Sequence, residues 1–141
     1  MAYRNKTIAS VTTAGAVAAT ALTEEINLGE MVNFSAILNV TAAATDVGDI
    51  LAVWIQGRIG GVWHDIARFA DVLGNGGAVK RRVTVLGSDV SVAEEAVPDG
   101  TLSAGAVRNG PWGDALRVKY SVTDANANSA FTFSVALFAE G

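Results

Sequence analysis

The feature that most limits how this chain can fold is an alternation of apolar and polar residues with a period of two. Between residues 29 and 41, for example, every second position from Val32 to Val40 is apolar, and Asn33 and Asn39 fall between these positions. Successive side chains of a strand point to opposite faces, so the pattern predicts strands that bury one face. No segment keeps a helical period, and the sequence therefore predicts an all-β protein.

Seven to eight short strands, separated by glycine-rich turns, follow from this pattern. The predicted strands comprise residues 7–11, about 21–28, 29–41, 50–58, 62–69, 78–86, 115–123 and 130–138. A chain of 141 residues is long enough to bury one core. One-sided sheets bury their apolar faces against each other, so we expect an antiparallel β-sandwich of jelly-roll-like type in residues 21–141.

Residues 1–20 are interpreted as an extended N-terminal arm, because small residues with few anchors gain little by packing on their own core. The same run has Arg4 and Lys6 ahead of an alanine-rich stretch, as a secretory signal would. It lacks a leucine block, and we interpret it as mature chain.

Two hairpins are predicted. Gly60 and Gly61 supply the positive φ angles that a two-residue turn requires. That turn predicts the cross-strand pairs Ile59 with Val62, Arg58 with Trp63, Gln56 with Asp65 and Ile55 with Ile66. In this register Arg68 falls in the apolar row, a conflict that either a bulge near Asp65 or protein covering both faces would resolve.

The second predicted hairpin joins "ALRVKYSVT" and "AFTFSVALF" through the turn "DANANS". The apolar rows of the two segments should anchor the core, and Arg117 and Lys119 should face water.

A long loop is predicted at residues 87–113, where the alternation stops and both prolines, Pro98 and Pro111, occur. A loop of this length is unusual in a compact domain, so we expect it to be functional or buried against a partner.

The charge balance limits the possible partners. The net charge is −4, and the only basic cluster is Lys80-Arg81-Arg82, interpreted as a solvated strand edge, so no nucleic-acid partner is expected. No apolar run reaches the roughly 20 residues needed to cross a membrane. Only 17% of residues are charged, which indicates that some apolar surface meets another chain.

No catalytic, cofactor or metal site is predicted. The chain has no cysteine and one histidine, His64. Asp65 follows it directly, but neighbours on a strand point to opposite faces, so the aspartate is badly placed to orient the imidazole as in a hydrolytic triad. A single histidine cannot form a multi-histidine zinc site, and Asp46 and Asp49 fall short of a calcium loop.

The aromatic residues of the first hairpin allow two interpretations. Trp54 and Trp63, with Gln56 nearby, could stack on a sugar, or they could form a subunit contact, in which Trp and Arg are enriched. We favour the contact because the chain has so few charges. The candidate interface residues are Trp54, Arg58 and Trp63 on the hairpin, Trp112 in the loop, and Tyr3 and Arg4 in the arm.

Three segments in order, "INLGEMVNFSAILNVTAA", "LAVWIQGRIGGVWHDIARF" and "ALRVKYSVTDANANSAFTFSVALF", resemble small virion proteins of tailed bacteriophages. The resemblance extends from Ile26 to Phe138 and leaves residues 1–20 and 87–113 unmatched. It implies a non-enzymatic decoration or cement protein of the capsid surface, made in the host cytoplasm. Its partners would be the major capsid protein and other copies of the chain, with a trimer as one option.

Two alternatives remain open from the sequence. One is a carbohydrate-binding, host-adhesion module that uses Trp54, Trp63 and Gln56. The other is a structural component of the phage tail or neck.

Overall fold

The computed structural model describes residues 3–13, 15–22, 25–89, 94–123 and 130–141, and these form ten β-strands and no helix. The strands are β1 Tyr3–Thr12, β2 Val17–Ala21, β3 Ile26–Asn27, β4 Asn33–Ala42, β5 Ile50–Ile59, β6 Val62–Arg68, β7 Val72–Leu73, β8 Val79–Leu86, β9 Ala115–Thr123 and β10 Thr132–Glu140. The all-β prediction is confirmed. The strand count differs from the prediction because β2 lies in the predicted arm and β7 was not predicted, and the predicted strand 21–28 is represented only by Ala21 of β2 and the two residues of β3.

The strands form two antiparallel sheets. One sheet has the order β1-β10-β4-β8, and the other has β2-β9-β5-β6, with β3 beside β9 and β7 beside β5. Apolar side chains of both sheets belong to one buried cluster, as Leu38 and Val135 of the first sheet and Leu51 and Val118 of the second illustrate. Burial of each such side chain contributes about 1.5 to 3 kcal/mol.

Strand β4 follows the predicted alternation. Its residues Phe34, Ala36, Leu38 and Val40 are all buried. Val32, predicted to share their row, precedes the strand and is 40% exposed.

The prediction that β9 and β10 form a C-terminal hairpin is wrong. Strand β10 lies between β1 and β4, and β9 lies between β2 and β5 in the other sheet. The two strands instead face each other across the core, where the rings of Tyr120 and Phe133 meet edge-on with centroids 5.7 Å apart. Matching apolar rows are equally satisfied by facing sheets and by neighbouring strands, which is why the alternation misled. The predicted turn, residues 124–129, lies outside the described residues.

The described part of the predicted N-terminal arm belongs to the sheets. Strand β1 pairs with β10 from Tyr3 opposite Glu140 to Thr12 opposite Thr132, and β2 pairs with β9. The ladder shifts register between Thr7 and Ala9, and Ile8 there is 4% exposed. This segment therefore has anchors in the core that the expectation of an arm did not include.

The first hairpin has the predicted turn and register up to a bulge. Ile59 pairs with Val62, Arg58 with Trp63 and Gln56 with Asp65, as predicted. Beyond a register shift, Ile55 pairs with Ala67 and not with the predicted Ile66, which places Arg68 opposite Trp54. The bulge thus removes Arg68 from the apolar row.

The chain also covers the second face of this hairpin. All residues from 51 to 57 of β5 are buried, those on both faces included. The segment 94–113 provides the cover, because it runs along β6 with the backbone bonds Asp65 N to Pro98 O, Arg68 N to Ala106 O and Arg108 N to Ile66 O. The loop therefore packs against its own sheet, although Trp112 is the only one of residues 94–113 that is itself buried.

Candidate functional site

The sequence-predicted site residues of the first hairpin lie on the outward face of β5 and β6, beneath the segment 94–113. Trp63 is half-buried there. The guanidinium carbon of Arg117 lies 4.2 Å from the centroid of its ring and that of Arg58 lies 5.3 Å away. Arg58, predicted opposite Trp63, stacks on its ring, and Arg117, expected to face water, shares the same ring.

Trp54 and Gln56 are buried, at 4% and 0% exposure. Arg68 covers the Trp54 ring, with its guanidinium carbon 4.8 Å from the centroid. Trp54 and Gln56 are therefore not presented to a sugar, and Trp54 offers no contact area to another subunit. The register shift explains this, since it brings Arg68 opposite Trp54.

Trp112 belongs to the core, where it is 3% exposed. Its ring meets Phe34 edge-on at 5.1 Å, and its backbone passes so close to Gly57 that a Cβ there would lie 2.4 Å from the Trp112 carbonyl oxygen. The expectation that Trp112 docks on another protein is corrected in this respect, because the ring fills the space between loop and sheet.

Tyr3 and Arg4 of β1 are both exposed, as a contact role requires. The Tyr3 ring, 69% exposed, stacks on Phe138 with centroids 5.5 Å apart and an interplanar angle of 16°. Whether these residues meet a partner stays a prediction.

Asp65 is the centre of a buried polar network that sequence reasoning missed. The side chain is 1% exposed and accepts hydrogen bonds from Gln56 Nε2 at 2.9 Å and from the backbone N–H groups of Gly100, Thr101 and Leu102 at 2.9 to 3.1 Å. A buried carboxylate needs such donors, and here they come from three consecutive residues of the loop. Asp65 thus fixes the loop to the sheet.

A second carboxylate, Asp99, extends the network. Its Oδ1 accepts hydrogen bonds from Lys119 Nζ at 2.7 Å and Gln56 Nε2 at 2.8 Å. These two donors, Lys119 first, lower the pKa of Asp99 below its ordinary value. Gln56 Oε1 accepts in turn from Arg117 Nε at 2.9 Å, and burial lowers the pKa of Arg117.

Arg58 forms an ion-pair cluster at the end of the hairpin. Its Nε lies 2.9 Å from Asp114 Oδ1, and its Nη1 lies 2.9 Å from Glu25 Oε1. The bond to Arg58 lowers the pKa of Asp114, and the same bond raises the pKa of Arg58. Arg58 therefore links β5 to two flanking segments.

His64 and Asp65, although adjacent in sequence, lie in different surroundings. His64 lines a shallow groove of about 420 Å³ together with Ile59, Val62 and Val97. Both Asp65 oxygens accept bonds from Gln56 and the loop, as described above. Within the described ranges, no three His, Asp or Glu side chains are grouped so that they could hold a metal ion.

One sequence signal could have identified the network. Gln56 interrupts the apolar run of β5 and was predicted opposite Asp65, so two polar side chains faced each other in a strand rich in core residues. Buried polar groups require partners, and a long loop is a ready source of backbone donors. Asp99 and Lys119 gave no such signal, because their contact depends on the loop's path.

Comparisons with known proteins identify no family for this chain. A scan against models of protein families finds no match, and a search of curated protein sequences finds no match either. Among the residues that the structure describes, no helix is long and apolar enough to cross a membrane.

Proposed function

We propose that this chain is a non-enzymatic structural protein of a tailed-bacteriophage virion. In this role it is a decoration or cement protein on the capsid surface, where it binds the major capsid protein and neighbouring copies of itself. The proposal rests on the sequence resemblance described above and on the fold.

The strand order is the observation that carries the proposal. If the eight strands of five or more residues are lettered B to I along the chain, the sheets β1-β10-β4-β8 and β2-β9-β5-β6 read B-I-D-G and C-H-E-F. This order agrees with the one expected of a jelly-roll β-sandwich, an architecture that recurs in viral capsid proteins. It favours the jelly-roll expectation, with the two short strands β3 and β7 as additions.

The use of the polar side chains supports a structural role. Asp65, Asp99, Gln56 and Arg117 bond to one another or to the loop backbone. They stabilise the position of residues 94–113, and a catalytic group would instead point into a cavity that admits substrate.

A cement protein stabilises a shell by mass action. A subunit that binds the assembled shell and not its separated parts adds its binding free energy to the assembled state alone. Many copies on one particle multiply a modest single contact.

The proposal is tested by locating the chain in the particle encoded by the same genome. We expect mass spectrometry to find it in purified virions and a low-resolution reconstruction to place it on the capsid surface. Purified chain added to heads that lack it should raise the temperature at which they rupture. Absence from the virion, or turnover of a substrate by the purified chain, would refute the proposal.

The same experiments distinguish the two alternatives. Density at the tail or neck would assign the chain there. Jelly rolls also occur in lectins, and a glycan-array signal that Trp63→Ala abolishes would favour the carbohydrate-binding module. Trp54 and Gln56 are buried, so only Trp63 of the suggested sugar platform remains accessible.

A further inference from the structure

We propose that two copies of this chain associate through the outward face of the sheet β1-β10-β4-β8, around a two-fold axis. We call this surface the outer face. It consists of the side chains of β1, β10, β4 and β8 that point away from the core, and Phe138, Ile37 and Arg82 are among them. The inference rests on the self-association in the proposed function and names the surface responsible.

The outer face is weakly ionic and partly apolar. Among the outward side chains of the paired residues in these four strands, only Glu140, Arg82 and Lys80 are charged. Ile37 and Phe138 are each 44% exposed and line a groove of about 540 Å³ with Arg82 and Glu140 at its border. An apolar centre with a polar border is the anatomy of a protein interface.

The charges of the outer face are placed to pair between molecules. Glu140 shares a row with Asn33, and Arg82 lies two rows along and two strands across, opposite Ile37. On a sheet with strands about 4.8 Å apart and same-face residues about 6.8 Å apart, the two side chains are about 17 Å apart. Neither forms an ion pair with any described side chain.

One rotation joins both charges to opposite charges. Consider a two-fold axis in the plane between two such faces. It passes over Ser35, midway between Glu140 and Arg82, and runs perpendicular to the line that joins these two residues. Rotation about this axis lays each Glu140 on the second copy's Arg82. On the same grid this rotation brings Phe138 to within about 3 Å, in projection, of the second copy's Ile37. One symmetry operation therefore forms two ion pairs and two apolar contacts, as an isologous interface requires.

The contact area is that of a weak, transient dimer. The face measures about 19 Å by about 30 Å, but the rotation crosses the strands of the two copies at about 70°, so the faces overlap over roughly 400 Å² per copy and 800 Å² in total. A specific, stable interface needs about 1,000 Å² or more. Strands β5 and β6 of the other sheet are covered by residues 94–113, so that part of its outward face is closed to a second copy.

Charge reversal tests the pairing. In analytical ultracentrifugation at low salt we expect a dimer of the full chain. Glu140→Arg and Arg82→Glu should each weaken its Kd about tenfold or more, and the double variant should restore it to within about threefold of the original. Glu94→Arg makes the same charge change on an exposed residue away from the outer face, and should leave Kd unchanged.

Cross-linking tests the position of the axis. The chain has no cysteine, so Ser35→Cys introduces a single thiol. Packed sheets are about 10 Å apart, beyond the reach of a disulfide, and a short bis-maleimide is the suitable reagent. Ser35→Cys should cross-link to a dimer, and Thr12→Cys, far from the axis on the same face, should not.

Three results would overturn the inference: a monomer at high concentration, a trimer, or a dimer that the single reversals leave intact. Its failure is distinguishable from failure of the proposed function. A monomeric chain that still binds the capsid removes only the inference. A dimer with the expected charge dependence that never occurs in virions removes only the function.

Discussion

At the scale of single residues, Asp65 shows how one carboxylate organises a segment far away in sequence. It is buried in β6, and its four hydrogen bonds join β5, β6 and residues 100–102. Three of the donors are backbone N–H groups of the loop, which would lose their partner if the carboxylate were absent. The network therefore stabilises the fold only as long as it is complete.

Asp65→Asn should destabilise the protein strongly. The substitution keeps the size of the side chain but replaces one acceptor oxygen by an N–H donor facing other donors, and we expect a loss of about 2 to 3 kcal/mol in the free energy of unfolding. Urea denaturation measures this loss, and hydrogen exchange should accelerate at residues 100–102. The same change at exposed Asp89 should have a much smaller effect; equal effects would contradict the assignment.

At the scale of elements, the segment 94–113 is the part of the chain that the alternation could not place. Trp112 and Asp65 fix it to the sheet from within, and Asp99 fixes it at the border by bonding to Lys119 and Gln56. Trp112→Ala would therefore first test the core, since removal of a buried tryptophan costs about 3 to 5 kcal/mol.

The stabilisation that Asp99 provides through its bonds to Lys119 and Gln56 should depend on pH. Because the folded protein lowers the pKa of Asp99, the stabilisation is present above the ordinary value of 3.8 and is lost as the pH falls through the lowered pKa. The stability difference between the native chain and Asp99→Asn should thus favour the native chain at pH 6 and vanish at acid pH. Urea titrations of both proteins from pH 6 to pH 2.5 measure it; a difference that does not change with pH would exclude this stabilisation.

At the scale of the whole molecule, the N-terminal segment provides an edge strand to each of the two sheets. Strand β1 closes one sheet and β2 the other, so residues expected to reach a neighbour complete the chain's own sheets. A deletion of residues 2–20 would remove β1 and all but the last residue of β2, so its effect on a particle would not report on an arm.

Two substitutions in β1 distinguish a packed strand from an arm. Ile8→Ala should cost about 2 to 4 kcal/mol in the free energy of unfolding, because Ile8 is 4% exposed in the core. Ser10→Ala, at an exposed position of the same strand, should change it by less than about 0.5 kcal/mol. Thermal and urea unfolding of the isolated chain provide both values. If Ile8→Ala left the free energy of unfolding unchanged, the interpretation of residues 1–20 as an arm would again be favoured.

The sequence by itself determined the all-β class, the β4 and β5 strands, and the turn at Gly60 and Gly61, because these depend on contacts between near neighbours. It also showed where the first hairpin conflicts with its own pattern, at Arg68. Tertiary structure alone decided that β9 and β10 lie in different sheets, that β1 is an edge strand, and that the loop covers Asp65 and places its own Trp112 in the core. Alternation specifies which face of a strand is apolar but not what covers it, since any apolar surface of the right shape satisfies the same pattern.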